Sequence, residues 1–135
     1  MWIYVAKDKN DVHFETDSSY VSVYGNSVEQ YYFGDKFDYE KEYGKLGSYY
    51  FHDTKELQNI LEEDGFLTEM WNKIGALFDW YECDYFDVEK TQKFKEWIVE
   101  RLSREVPKVI KPVYEKMLLF AEIGISCNTG MAFNF

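Results

Sequence analysis

Residues 109–135 read VIKPVYEKMLLFAEIGISCNTGMAFNF, and this stretch decides the fold. Its apolar residues predict a helix from about Val109 to Ile125. Pro112 falls in the first turn, where the missing backbone N–H has no helical partner to lose. Because this helix is nearly apolar, we expect it to be the central, buried helix. Asn128-Thr129-Gly130 then form a turn that leads into a C-terminal strand.

A strand over residues 131–135 is stable only when it is paired, so we expect it to join strands near the N-terminus. Such pairing could occur within the chain or across a dimer. Three short β-prone runs predict an antiparallel meander over residues 1–24. The predicted fold class is therefore α+β, a single domain over residues 1–135. It has an antiparallel sheet, made by the N-terminal meander and the C-terminal strand, with about four helices packed on one face.

Three further helices are predicted between the meander and residue 109. Asp53 or Thr54 can cap the first, which ends at Asp64-Gly65. The second has apolar residues four positions apart, namely Phe66, Met70, Ile74 and Phe78, with Leu67 and Trp71 beside them. Asp87 caps the third, which runs to about Ser103. Residues 25–51 follow neither a helical nor a strand period, so they contain either an element without a clear pattern or a functional loop.

The residues between the second and third predicted helices alternate acidic and aromatic side chains. Phe78–Lys90, which we call the acid–aromatic segment, carries five carboxylates and five aromatic rings. Aromatic rings provide rigid contact area and carboxylates a negative field, a combination that suits a basic protein partner. The same alternation is typical of a half-buried strand, in which the rings belong to the core. The predicted partner-binding residues are Asp79, Trp80, Tyr81, Glu82, Asp84, Tyr85 and Asp87.

Composition narrows the class of protein and partner. The chain has 135 residues and a net charge of −10, and its 20% aromatic content argues against disorder. Residues 1–89 hold twenty acidic and seven basic side chains, whereas residues 90–135 hold five and eight. This acidic excess disfavours nucleic acid and anionic membranes as direct partners, because both are bound through clustered Lys and Arg.

No motif for catalysis, metal binding or a cofactor is present, so we expect none of these. The EF-hand and nucleophile-elbow spacings are absent, and there is no P-loop. His13, His52, Cys83 and Cys127 are scattered, which disfavours zinc. Two unclustered cysteines indicate free thiols, and the first residues lack the pattern of a secretion signal. We therefore expect a cytoplasmic protein.

A small, acidic, single-domain chain with such a segment resembles the immunity proteins that bacteria make against secreted toxins. The resemblance implies a tight basic partner, such as a nuclease domain, that is neutralised when an essential surface is covered. Two alternatives stay open. One is a DNA-mimic inhibitor of the phage type, and the other is a small-molecule binder or enzyme with a pocket near residues 31–53.

Overall fold

The computed structural model describes residues 2–5, 12–14, 21–23, 48–50, 54–76, 80 and 83–134. Its strands are β1 (Trp2–Tyr4), β2 (Val12–Phe14), β3 (Val21–Val23), β4 (Ser48–Tyr50), β5 (Cys83–Phe86) and β6 (Met131–Asn134). Its helices are α1 (Lys55–Glu63), α2 (Phe66–Glu69), which continues into a π-helical turn at Met70–Ile74, α3 (Val88–Leu102) and α4 (Lys111–Cys127). This mixture of helices and antiparallel strands makes the protein α+β, as predicted.

The C-terminal strand lies in the interior of a four-stranded antiparallel sheet with the order β4-β1-β6-β5. Ile3 on β1 pairs with Phe133 on β6, which confirms that the last strand joins an N-terminal one within the chain. β2 and β3 pair with each other in a second sheet. The connections at 6–11 and 15–20 lie outside the described residues, so a continuous meander stays a prediction.

Two groups of aromatic rings form the core between the sheet and the helices. Phe86, Phe94 and Phe133 meet edge to face, with ring centroids 5.1 to 5.4 Å apart. Trp97 stacks on Phe94 at 6.2 Å and meets Tyr114 edge to face at 5.5 Å. Such ring geometries stabilise a core beyond the area they bury. The contacts therefore join β5, β6, α3 and α4 into one packed unit.

Both predicted caps within the described residues are confirmed. The backbone N–H of Leu57 donates to Thr54 Oγ1 at 3.2 Å, and that of Lys90 donates to Asp87 Oδ1 at 2.8 Å. Each bond satisfies one of the backbone donors that the first turn of a helix leaves without a partner. Asp53, the alternative cap of α1, lies outside the described residues.

The second predicted helix ends earlier than its apolar spacing suggested. The helix widens into a π turn, and Gly75 then adopts the left-handed conformation with φ of 71°. The N–H of Ala76 donates to the carbonyl of Met70 at 3.1 Å, which closes the widened turn. The prediction of a regular helix to Phe78 is therefore wrong at its C-terminal end. Trp71, which the spacing placed beside the apolar face, is 58% exposed.

Only one face of α4 is buried. Val113, Tyr114, Met117, Phe120, Ala121 and Gly124 face the interior. On the other side Leu119 is 39% exposed and Glu122 is also exposed. α4 packs on β1, β6 and α3, as expected of a central helix, but it is buried on one face only.

The turn between α4 and β6 is closed by backbone contacts. Asn128 is left-handed, and the N–H of Thr129 donates to the carbonyl of Gly124 at 2.9 Å. This is the Schellman arrangement, with asparagine at the position that glycine usually takes. A Cβ on Gly124 would lie 2.2 Å from the carbonyl oxygen of Gly130, and one on Gly130 would lie 2.0 Å from that of Phe86. Both positions therefore require glycine, and the turn places β6 directly beside β5.

Candidate functional site

Trp80 anchors the acid–aromatic segment to the first helix. Its side chain is only 8% exposed, and its indole N–H donates to the carboxylate of Glu62 near the end of α1. A tryptophan that is buried and hydrogen-bonded in this way contributes mainly to the core. The structure thus gives Trp80 a folding role, and its predicted contact with a partner stays a prediction.

Tyr85 and Asp87 hold the other end of the segment. The hydroxyl of Tyr85 donates to the carbonyl of Thr129 at 2.6 Å, which ties β5 to the turn before β6. Burial raises the pKa of Tyr85, and the negative charge of Asp87 raises it further. Asp87 itself is exposed while it caps α3, so its carboxylate faces solvent with one oxygen engaged.

The alternation of residue types between Cys83 and Phe86 is that of a strand. β5 pairs with β6, and Phe86 is fully buried. This part of the segment is therefore a strand that places Phe86 in the core. Asp84 lies opposite Phe133 in the register. Asp79, Tyr81 and Glu82 lie outside the described residues, so their predicted role stays a prediction.

A nearly buried ion pair lies at the C-terminal end of α1. Asp64, whose side chain is 5% exposed, accepts hydrogen bonds from two nitrogens of Arg101, one of them Nε at 2.9 Å. The hydroxyl of Tyr114 donates to the same carboxylate at 2.8 Å. Arg101 also donates from Nη1 to the backbone carbonyl of Glu105 at 2.8 Å. This cluster joins α1, α3, α4 and the loop after α3 through charge-assisted bonds, which are the strong kind.

The environment of the cluster fixes its charges. Burial raises the pKa of Tyr114 far above its ordinary value, and its hydrogen bond to Asp64 acts in the same direction. The hydrogen bond to Asp64 also raises the pKa of Arg101. Tyr114 therefore remains neutral and Arg101 remains a cation well into the alkaline range.

A cavity of about 320 Å³ opens on the solvent side of this cluster. It is lined by Asp64, Gly65, Glu69, Lys73, Trp97, Glu100, Arg101 and Arg104. Lys73 Nζ lies 3.6 Å from Glu69 Oε2 and 3.8 Å from Glu100 Oε2, and Arg104 pairs with Glu100 on its other oxygen. Carboxylates and cations thus alternate along the rim, and the indole of Trp97 forms part of the wall. We call this cavity the charged pocket.

The charged pocket was not predicted, because its residues come from separate parts of the chain. Asp64 is 37 positions from Arg101 and 50 from Tyr114, so no local spacing connects them. The one local signal was the Asp64-Gly65 pair, which predicts a helix end. Gly65 is left-handed in the structure and does end α1 there. A pocket was predicted near residues 31–53, of which only β4 (Ser48–Tyr50) is described, so that pocket stays a prediction.

Among the described residues there is no cluster of three or more metal-ligating side chains. No helix in the same part of the chain is both long enough and apolar enough to cross a membrane. Comparison with known proteins finds no matching family, no similar curated protein and no similar solved structure.

Proposed function

We propose that this chain is an acidic binding protein that neutralises a basic partner. The specific form of the proposal is an immunity protein that covers an essential surface of a secreted bacterial toxin, such as a nuclease domain. The cytoplasm is the proposed compartment, and the proposed partner is a protein rather than nucleic acid or a membrane. A nuclease must attract phosphate, so a surface rich in carboxylates can compete for its active site through charge.

The observation that carries this proposal is the anchoring of the acid–aromatic segment at three places. Trp80 is bound to α1, β5 is paired with β6, and Asp87 caps α3. The fixed positions of Trp80, β5 and Asp87 lower the ordering entropy that is lost when a partner binds. The carboxylates of Asp79 and Glu82, which precede β5 in the sequence, are the proposed contacts.

The proposal includes the finer features of the predicted fold. Residues 1–24 contribute the antiparallel strands β1, β2 and β3, and the helices pack on one side of the sheet that contains β1. The contacts of α4 with β1 and β6, and of α3 with β5, support this layered arrangement.

Affinity capture from the source cell tests the function. The wild-type protein is immobilised beside a variant with Asp79→Lys and Glu82→Lys. A matched control carries Glu56→Lys and Glu115→Lys, two exposed positions on α1 and α4 with the same change of charge. We expect a basic protein to bind the wild type and the control and to be lost from the first variant, with retention that weakens as salt is added.

Two results would contradict the proposal in different ways. Equal retention of the same basic protein by all three samples would show that the acid–aromatic segment is not the contact surface. If no basic protein is captured by any sample, the function itself is wrong. A captured protein that binds DNA without cleaving it, and that this chain displaces from DNA in a mobility-shift assay, would point instead to a DNA-mimic inhibitor.

A further inference from the structure

The charged pocket has an inner end that needs no ligand. The carboxylate of Asp64 already accepts bonds from Arg101 and Tyr114, and Arg101 is further bound to the backbone of Glu105. These groups are mostly buried and hold one another in place. Any recognition by the pocket must therefore occur at its rim and along the wall formed by Trp97.

The rim already contains a cation that is loosely held. Lys73 lies between Glu69 and Glu100, but its two N–O distances of 3.6 and 3.8 Å are longer than a hydrogen bond. Half of the Lys73 side chain is exposed, as are 37% and 51% of the two glutamates. Exposed ion pairs of this kind contribute little to stability, so Lys73 can leave the site at small cost.

With Lys73 turned away, the pocket offers two carboxylates at its mouth and an aromatic wall behind them. Lysine and arginine side chains match this arrangement, because each has a charged head on a long apolar stem. The head takes the place of the ammonium group between Glu69 and Glu100, and the stem lies in the cavity, which Trp97 also lines. The volume of about 320 Å³ is sufficient for one such side chain.

We propose that the charged pocket receives a lysine or arginine side chain of a basic protein partner, in exchange for Lys73. The identity of the partner rests on the proposed function, whereas the chemistry of the pocket does not. The pocket and the acid–aromatic segment adjoin the same end of α1, since Glu62 binds Trp80 and Asp64 forms the inner wall.

An anionic ligand fits the pocket less well. Arg101 is bound by Asp64 through two nitrogens, and Arg104 is bound by Glu100. An anion would have to displace these carboxylates from their cations, within a protein whose net charge is −10. A cation has to displace only Lys73, the most weakly held charge in the pocket.

A titration with N-acetyl-L-arginine amide, followed by the amide resonances of Gly65 and its neighbours in NMR, tests the exchange. Lys73→Met removes the resident cation while keeping an apolar stem, so the affinity should rise about two- to fivefold, the range expected for loss of one exposed ion pair. Glu69→Gln with Glu100→Gln should lower it about tenfold, because two such attractions are lost.

Matched controls use the exposed Lys111–Glu115 pair on α4, whose N–O distance is 4.0 Å. Lys111→Met and Glu115→Gln should leave both the affinity and the shifted resonances unchanged. N-acetyl-L-norleucine amide, which has no charged head, should not bind.

Three results would overturn the proposal: no binding of the arginine amide, equal binding by the Glu69→Gln, Glu100→Gln variant, or preferential binding of inorganic phosphate that Lys73→Met abolishes. The test is separate from the capture experiment. Binding of the arginine amide without any captured basic protein would reject the proposed function and keep the pocket chemistry. Capture of a basic protein without binding of the arginine amide would keep the proposed function and reject the pocket chemistry.

Discussion

Replacing Asp64 by asparagine removes one charge from the cluster at the end of α1 while preserving the shape of the side chain. In the wild type this carboxylate accepts three hydrogen bonds, two from Arg101 and one from Tyr114. The amide NH₂ group of asparagine would face N–H or O–H groups of Arg101 or Tyr114, and two donors cannot form a hydrogen bond. Arg101, which is 18% exposed, would then be left as a largely buried cation without its counter-ion.

The expected cost follows from this geometry. Removing one partner of a fully buried ion pair costs about 3–5 kcal/mol, mostly because the other charge is left uncompensated. Since Arg101 retains some contact with water, we expect about 2–4 kcal/mol for Asp64→Asn. The double variant Asp64→Asn, Arg101→Met removes both charges and should be more stable than Asp64→Asn alone.

Urea unfolding followed by circular dichroism measures these differences in the free energy of unfolding. Glu89→Gln is the control, because Glu89 forms an exposed pair with Lys93 and its loss should change the free energy of unfolding very little. If Asp64→Asn costs no more than this control, or if the double variant is less stable than the single one, the assignment of Asp64 as an essential counter-ion is refuted.

Three further predictions concern single positions. The pKa of Tyr114 is higher in the folded state than in the unfolded state. The stability that this difference contributes is complete below the unfolded pKa of about 10 and is lost as the pH rises above it. Stability should therefore fall by about 1.4 kcal/mol per pH unit above pH 10 in urea unfolding, and Tyr114→Phe should remove this part of the slope. Gly130→Ala should lower the free energy of unfolding by more than about 2 kcal/mol in thermal unfolding, because the added Cβ would overlap the carbonyl oxygen of Phe86. Gly75→Ala, where the added Cβ meets open space, should lower it only by the roughly 1–2 kcal/mol that a left-handed residue costs. Asp87→Ala should cost about 1 kcal/mol of stability through loss of the cap, and Asp87→Asn much less.

Each of these predictions has an outcome that contradicts it. An unchanged alkaline slope in Tyr114→Phe would mean that other tyrosines cause the whole effect, Tyr85 among them. Equal costs for the two glycine variants would mean that conformation, not close approach, is what Gly130 provides. If Asp87→Asn is as unstable as Asp87→Ala, the charge of Asp87 rather than its capping oxygen stabilises α3.

Local patterns predicted the parts of the fold that local chemistry determines. Thr54 and Asp87 are good caps in any context, so the starts of α1 and α3 could be placed from the sequence. The turn at Asn128-Thr129-Gly130 could also be predicted from the sequence, because only a few residue types favour the backbone conformations of a tight turn. These features depend on interactions between residues a few positions apart.

Features that depend on distant residues could not be predicted. The sequence over the π turn at Met70–Ile74 has the same apolar spacing as a regular helix. The early end of the helix and the exposure of Trp71 could therefore not be predicted. The pairing of Asp64 with Arg101 brings together two ordinary charged residues that no spacing connects. Because this ion pair forms the inner end of the charged pocket, the pocket became visible only in three dimensions.

The position of β6 between β1 and β5 also governs when the sheet can form during synthesis. Ile3 finds its partner Phe133 only after nearly the whole length of this chain has been made. Until then β1 and β5 have no common neighbour, and Phe86 lacks one of the rings that cover it. Contacts between such distant residues form slowly, so the sheet stays open until Met131–Asn134 have been made.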